Sequence, residues 1–161
     1  MDGTTIIGGT DLTRALAERA CAVSQDELPA EARELARQCV LDYLGVALAG
    51  SRTESGEIAR RFAAISGGHE EATLIGGAGR VPAEQAAFAN AIASHSVELD
   101  DIDVLALFHF SPPVYSAGLA AAEQAGASGK ELVVALVAGC EMMERLSKAA
   151  NSSLRSRGFN T

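Results

Sequence analysis

A long helical pattern of small and apolar residues most restricts what this chain can fold into. Residues 26–50, DELPAEARELARQCVLDYLGVALAG, place acidic residues around a proline suited to a first helical turn, and end at Gly50. Between them runs an apolar stripe at helical spacing: Leu35, Ala36, Cys39, Val40, Tyr43, Leu44 and Ala47. This spacing predicts an amphipathic helix with one face against a core.

Five further segments carry helical signals of the same kind. Asp11 is placed to cap the first of them, which should face a core, and prolines open two of the later ones. The predicted helices are 11–23, 51–66 with Ile58, Phe62 and Ile65 along one side, 82–93, 112–126 and 130–148. The last is the most apolar, so we expect it to lie centrally in a bundle.

These segments predict an all-α fold, a helical bundle with at most one short extended segment, near 72–76. Residues 1–10, rich in Gly and Thr, are expected to be a flexible N-terminus, and 11–161 a single helical domain. Aromatic residues make up only 4% of the chain, with no Trp. Close approach between helices must therefore supply much of the packing.

Composition excludes several classes of function. The net charge of −8 leaves no basic surface for a nucleic acid. The longest apolar run, residues 132–140, is far shorter than the ~20 residues of a membrane span. The N-terminus lacks the pattern of a signal peptide. Cys21, Cys39 and Cys140 are widely spaced in apolar helical surroundings, which predicts buried thiols and a cytoplasmic protein.

Candidate chemistry is concentrated in residues 90–113, NAIASHSVELDDIDVLALFHFSPP. This segment holds six groups that handle protons: His95, Glu98, Asp100, Asp101, Asp103 and His109. On a helix ending near Asp101, the three-residue spacing of His95, Glu98 and Asp101 would put them on one face. Neighbouring carboxylates disfavour each other's ionisation, which suits one of them for general acid or base work.

Alternative roles for this segment stay open. A helix end followed by an exposed loop carries solvated acids without any function. A metal site would use His95, Asp100, Asp101 and His109, but the tight spacing of known metal motifs is missing. A serine nucleophile lacks its GxSxG context, and the aromatic residues that stack on sugars are too few for a glycosidase. We therefore expect no metal ligands here.

His109 precedes the sequence SPP and a predicted helix start. An imidazole in that position would lie beside free backbone N–H groups and the positive end of the helix dipole. His109 is therefore a candidate for holding an anion.

Four stretches of the chain resemble the MmgE/PrpD family, which includes 2-methylcitrate dehydratase, cis-aconitate decarboxylase and iminodisuccinate epimerase. They are LDYLGVALAG (41–50), AEQAAFANAIASHSVELDD (83–101), HFSPPVYSAGLAAAEQAGASGKELVVALVAGCE (109–141) and RGFNT (157–161). The family's forms are similar to LDxLGxxxAG, AxxNGxxxHxxDxDD, HPSxxxxPAxLAxAE and RGFHPT. The pieces occur in the family's order and cover nearly the whole chain.

The resemblance implies the N-terminal helical portion of a two-domain enzyme, normally homodimeric, that acts without metal or organic cofactor on small di- or tricarboxylates. The shared step is removal of a proton next to a carboxylate. By position, Glu98 matches an acidic active-site residue, Asp101 the second acid of the DD pair, and His109 the active-site His. Arg157 matches the Arg of the RGFHPT segment and would be an anion contact, and Asn160 stands where the family has a second active-site His. The cations at hand for the substrate's carboxylates are His95, His109, Arg155 and Arg157.

Two hypotheses follow. In the first, this is the N-terminal segment of a lyase- or isomerase-type enzyme, with Glu98, Asp101 and His109 catalytic and with His95, Arg157 and Asn160 binding substrate. In the second, it is a catalytically inactive, truncated helical module that acts by association, either as a homodimer or with a companion C-terminal chain. Both predict neither nucleic-acid nor membrane binding.

Overall fold

The computed structural model describes residues 11–24, 28–104, 108–150 and 156–158. The N-terminus predicted to be flexible, 1–10, lies outside them. In chain order the elements are α1 Leu12–Cys21, α2 Ala30–Gly50, α3 Glu54–Ile65, β1 Ala72–Thr73, β2 Arg80–Val81, α4 Ala83–His95, α5 Ser116–Ala125 and α6 Gly129–Ala150. A π-helical turn, Ser111–Tyr115, leads directly into α5. The predicted all-α fold is confirmed.

Local signals explain where the helices begin and end. The Asp11 carboxylate accepts the backbone N–H of Arg14 at 3.1 Å and caps α1 as predicted. Thr53 caps α3 in the same way, through the N–H of Gly56. Gly126 ends α5 with φ +64°, a conformation that glycine adopts without steric cost.

The extended segment predicted near 72–76 contains strand β1. This strand pairs with β2 in a small antiparallel hairpin, and the sequence did not predict that pairing. Ala72 pairs with Val81, and Thr73 with Arg80. Two-residue strands are too short for an alternating pattern, so their pairing depends on tertiary contacts. Asn90 of α4 supplies one: its side chain accepts the N–H of Ile75 and donates to the carbonyl of Thr73, both at 2.9 Å.

The centre of the bundle is α4 rather than α6, so the prediction for the most apolar helix was wrong. Helix α4 packs against α2, α3 and α5, and six of its residues are buried. In α6 only Leu136 and Ser147 are buried. Ala-rich α4 takes the central place because small side chains let three neighbours approach at once.

Helices α1 and α3 differ from expectation in what they bury. No residue of α1 is buried, because α1 packs mainly on α6, and Cys21 is exposed rather than buried. Cys39 and Cys140 are half-buried, and all three thiols are free. In α3 the core-facing residues are Gly56, Ala59 and Ala63, while Ile58, Phe62 and Ile65 are 54, 51 and 82% exposed.

Glycine permits the closest approach in the bundle. A Cβ placed on Gly50 would lie 1.8 Å from the carbonyl oxygen of Ala93, and one on Gly56 would lie 2.0 Å from the oxygen of Gly50. Helices α2, α3 and α4 therefore meet backbone to backbone at the point where α4 is about to end.

Within the part of the chain that the structure covers, no helix is both long and apolar enough to span a lipid bilayer.

Candidate active site

Helix α4 ends at His95 and does not continue to Asp101, as a helical face shared by His95, Glu98 and Asp101 would require. Ser96 caps it, and Glu98 then takes a φ of +53°. A left-handed conformation is uncommon for a glutamate and costs of order 1–3 kcal/mol, so the surrounding structure must hold it in place. The backbone reversal removes the common helical face that the spacing of His95, Glu98 and Asp101 had predicted.

A buried carboxylate joins two imidazoles behind this turn. The side chain of Asp100 has no exposed surface. Its oxygens lie 3.0 Å from Nδ1 of His95, and Oδ2 also lies 2.9 Å from Nδ1 of His109. The two rings meet edge to face at 70°, with centroids 4.7 Å apart. His95, Asp100 and His109 therefore form one hydrogen-bonded group, which we call the His–Asp–His group.

Glu98 extends this group to the surface. Its carboxylate lies 3.7 Å from Nε2 of His95, and its side chain is 77% exposed. Both residues line a cleft of about 550 Å³ whose other walls are Ser55, Phe88, Ala91, Ile92, Ser96 and Pro112. The cleft combines an apolar floor with an acid, an imidazole and two hydroxyls, a combination that suits a small polar ligand.

Asp101 faces a different part of the molecule. Its Oδ1 accepts the backbone N–H of Ser111 at 2.9 Å and also the hydroxyl of Ser111. It thereby caps the π-helical turn. Asp101 also lines a second, mostly apolar cleft of about 360 Å³, with Cys39, Tyr115 and Cys140. The three predicted catalytic residues thus do not converge on one cleft.

Burial disfavours the charged forms of the two thiols and the phenol that line the second cleft. It raises the pKa of the Cys140 thiol to about 11 and also raises that of Cys39. The pKa of the Tyr115 phenol is raised as well, by burial and by the neighbouring thiols. These groups stay neutral near neutral pH, so this cleft offers no thiolate nucleophile.

The sequence had suggested that His109 lies beside free backbone N–H groups at a helix start. The structure gives it a different partner. The first such group, N–H of Ser111, is already taken by Asp101. The partner of His109 is instead the buried Asp100, and 22% of the His109 side chain is exposed.

Among the other predicted binding residues, the structure describes Arg157 alone. Arg157 is exposed and lines neither cleft. Asn160 and Arg155 lie outside the described residues. Asp100 is the functional candidate that the sequence pattern left out of the catalytic set, although its position between the two histidines was a signal for it.

The His–Asp–His group also has the composition of a metal site. One donor atom from each residue lies within 4.8 Å of the others. In this arrangement, however, the Nδ1 atoms and the carboxylate oxygens already satisfy one another at hydrogen-bond distance. A metal would have to displace these bonds.

Comparison with protein families decides where the chain belongs. Residues 14–161 match the family model described as the MmgE/PrpD N-terminal domain. The chain belongs to the MmgE/PrpD family. The resemblance drawn from the four sequence stretches is thereby confirmed. No curated protein and no solved structure gave a significant match to the chain.

The match to the MmgE/PrpD N-terminal domain includes α2, α4 and the whole His–Asp–His group. It also includes Arg157 and Asn160.

Proposed function

We propose that this chain is part of a lyase- or isomerase-type enzyme acting on small di- or tricarboxylates, with an activity like that of 2-methylcitrate dehydratase. The observation that best supports this is a row of four neighbouring side chains. Glu98 lies at the rim of a cleft, followed by His95, the buried Asp100 and His109. This row occurs in a member of the MmgE/PrpD family. By the family resemblance, the reaction uses neither metal nor organic cofactor.

The row suits proton removal from a carbon next to a carboxylate. Such a step needs a base within reach of the carbon and a cation or donor beside the substrate's carboxylate. Glu98 is the accessible acid in the cleft, and His95 adjoins it. We assign Glu98 as the acid–base group and His95 as a carboxylate contact, since a protonated imidazole whose Nδ1–H is held by Asp100 keeps a positive charge and one donor, at Nε2.

Asp101 is less suited to the same role. Its Oδ1 already accepts two hydrogen bonds from Ser111, and its side chain lines the other, mostly apolar cleft, away from Glu98 and His95. We therefore favour Glu98 over Asp101. His109, held against Asp100, remains the partner that shares a proton or contacts a carboxylate, and Arg157 and Asn160 remain proposed anion contacts.

Solvent exchange at carbon tests the proposal whichever product follows. The protein is incubated in deuterated water with methylcitrate, cis-aconitate, iminodisuccinate and related acids, alone and with any polypeptide that supplies a C-terminal domain of the family. We expect deuterium at the carbon next to a carboxylate of at least one acid, measured by mass spectrometry. Absence of exchange with every acid, in both preparations, would contradict the proposed function.

His109→Ala is expected to slow this exchange at least about tenfold, the usual scale of an acid–base or donor contribution. The matched control is His69→Ala, because His69 is an exposed histidine before the hairpin. The His69→Ala variant should catalyse solvent exchange of the substrate at the wild-type rate. Equal rates in both variants would remove His109 from the site.

A second candidate is a helical module that acts by association, with a second copy of the chain as the expected partner. The observation in its favour is the set of large apolar side chains left exposed on α3 and α4: Ile58, Phe62, Ile65 and Phe88. A module of this kind would associate but show no exchange with any acid. A homodimeric enzyme would show both.

A further inference from the structure

The geometry points to Asp100 as a positioning residue that fixes both His95 and His109 in the Nδ1–H tautomer, an inference that rests on the proposed function. An ionised carboxylate only accepts hydrogen bonds. Nδ1 of each ring lies within 3.0 Å of an Asp100 oxygen. A neutral imidazole has a single N–H, so both rings must carry it at Nδ1.

Burial makes this control strong. The Asp100 side chain is fully buried, and its oxygens face the two imidazoles. A buried carboxylate that lacks hydrogen-bond donors costs free energy. Rotation of either ring would take a donor away from Asp100, and this cost holds both rings in place. The edge-to-face contact between the rings, with centroids 4.7 Å apart, further limits rotation of either one.

Holding Nδ1–H inward has a consequence at the opposite ring nitrogen. Nε2 of His95 is left with its lone pair 3.7 Å from the Glu98 carboxylate, at the rim of the cleft. Asp100 thereby fixes Nε2 of His95 as the ring nitrogen beside Glu98, at the cleft where a substrate carboxylate would lie.

The tautomers can be measured directly, because the chain has only three histidines. In protein with ¹⁵N-labelled histidine, long-range ¹H–¹⁵N spectra are recorded at a pH where further base no longer changes the ring signals. We expect Nδ1–H for His95 and His109. Exposed His69 serves as the internal reference and should show mainly Nε2–H, the form that predominates in free histidine.

Asp100→Asn tests the cause with little change of shape. The amide oxygen accepts a bond from one ring, but the amide nitrogen donates, so the other ring must present a bare Nδ1. We expect one of the two rings to switch to Nε2–H and solvent exchange of the substrate to slow at least about tenfold. Asp42→Asn, at an exposed carboxylate on α2, is the matched control and should change neither readout.

Three results would overturn the role of Asp100. They are Nε2–H on both rings of the wild type, unchanged tautomers in a folded Asp100→Asn, or displacement of both Nδ1 protons by one equivalent of zinc chloride, which would indicate a metal site. The wild-type spectrum decides the matter even if Asp100→Asn does not fold. If both rings carry Nδ1–H but no acid takes up deuterium, the proposed function is contradicted, whereas the role of Asp100 in positioning the rings stands.

Discussion

Glu98 stands out at the scale of single residues, because it is the one non-glycine residue with positive φ in the described part of the chain. Its side chain is mostly exposed and gains little from packing. A residue that strains the backbone without filling the core is typical of functional sites. The strain thus supports, independently of charge, the assignment of Glu98 to the proposed chemistry.

Glu98→Asn should separate stability from function, because asparagine tolerates the left-handed region better than glutamate. We expect a free energy of unfolding equal to wild type or higher by about 0.5–1 kcal/mol, measured by urea denaturation, together with loss of solvent exchange. Glu98→Gln, which keeps the strain and removes the charge, should lose exchange without gaining stability. A clear loss of stability in Glu98→Asn would contradict the strain argument.

Cys140 predicts a stability that falls at high pH. The folded thiol has its pKa raised by burial from 9.0 to about 11, so between these values the folded state holds a proton that the unfolded state releases. The free energy of unfolding should therefore decrease as pH rises from 9 toward 11. Urea denaturation across this range should show a shallower decrease for Cys140→Ala than for wild type.

Val137→Ala provides the control for that experiment, since Val137 lines the same cleft but does not titrate. It should lower stability by a similar amount at each pH and keep the wild-type slope. A Cys140→Ala slope equal to that of wild type would show that burial of this thiol does not shift its ionisation.

At the scale of elements, glycine decides how α2, α3 and α4 meet. Gly50→Ala would place a Cβ 1.8 Å from the Ala93 carbonyl oxygen, which backbone atoms cannot relieve without moving a helix. We expect a loss of about 3 kcal/mol or more in the free energy of unfolding, or failure to fold. The measurement is thermal or urea denaturation followed by circular dichroism.

Gly45→Ala is the matched control in the same helix. A Cβ at Gly45 would meet no atom within 4 Å. Alanine is the better helix former, so this variant should gain about 0.5–1 kcal/mol. Equal effects at both positions would mean that helix propensity, rather than close approach, governs Gly50.

For the whole molecule, the exposed apolar side chains on α3 and α4 are one feature that a single chain leaves unexplained. The rings of Phe62 and Phe88 meet edge to face with their centroids 6.3 Å apart, yet each side chain remains about half exposed. Large apolar patches of this kind mark interaction surfaces. A homodimer that buries them would agree with the proposed enzyme and with the proposed module alike.

Light scattering should therefore give a mass of twice the 16.6 kDa of the chain. Phe62→Glu should shift the protein toward monomer, because a charge would be buried in the interface. Leu12→Glu is the control, since Leu12 is 72% exposed on the peripheral helix α1. A monomeric wild type, or the same shift in both variants, would contradict an interface on α3 and α4.

The sequence by itself determined which segments form helices, the Asp11 cap of α1 and the family, because these depend on local spacing and on short motifs. It also placed the candidate chemistry within residues 90–113. It did not determine which side of α3 is buried: the stripe of Ile58, Phe62 and Ile65 lies outside, and glycine and alanine face the core.

Only the tertiary structure decided how the candidate site is arranged. The early end of α4 and the reversal at Glu98 send Asp101 to Ser111 and turn Asp100 inward between the two histidines. Helical spacing could not reveal this, because it assumes that the helix continues. Burial of Asp100 depends on His109, nine residues further along the chain, and on the packing of α4 against its neighbours.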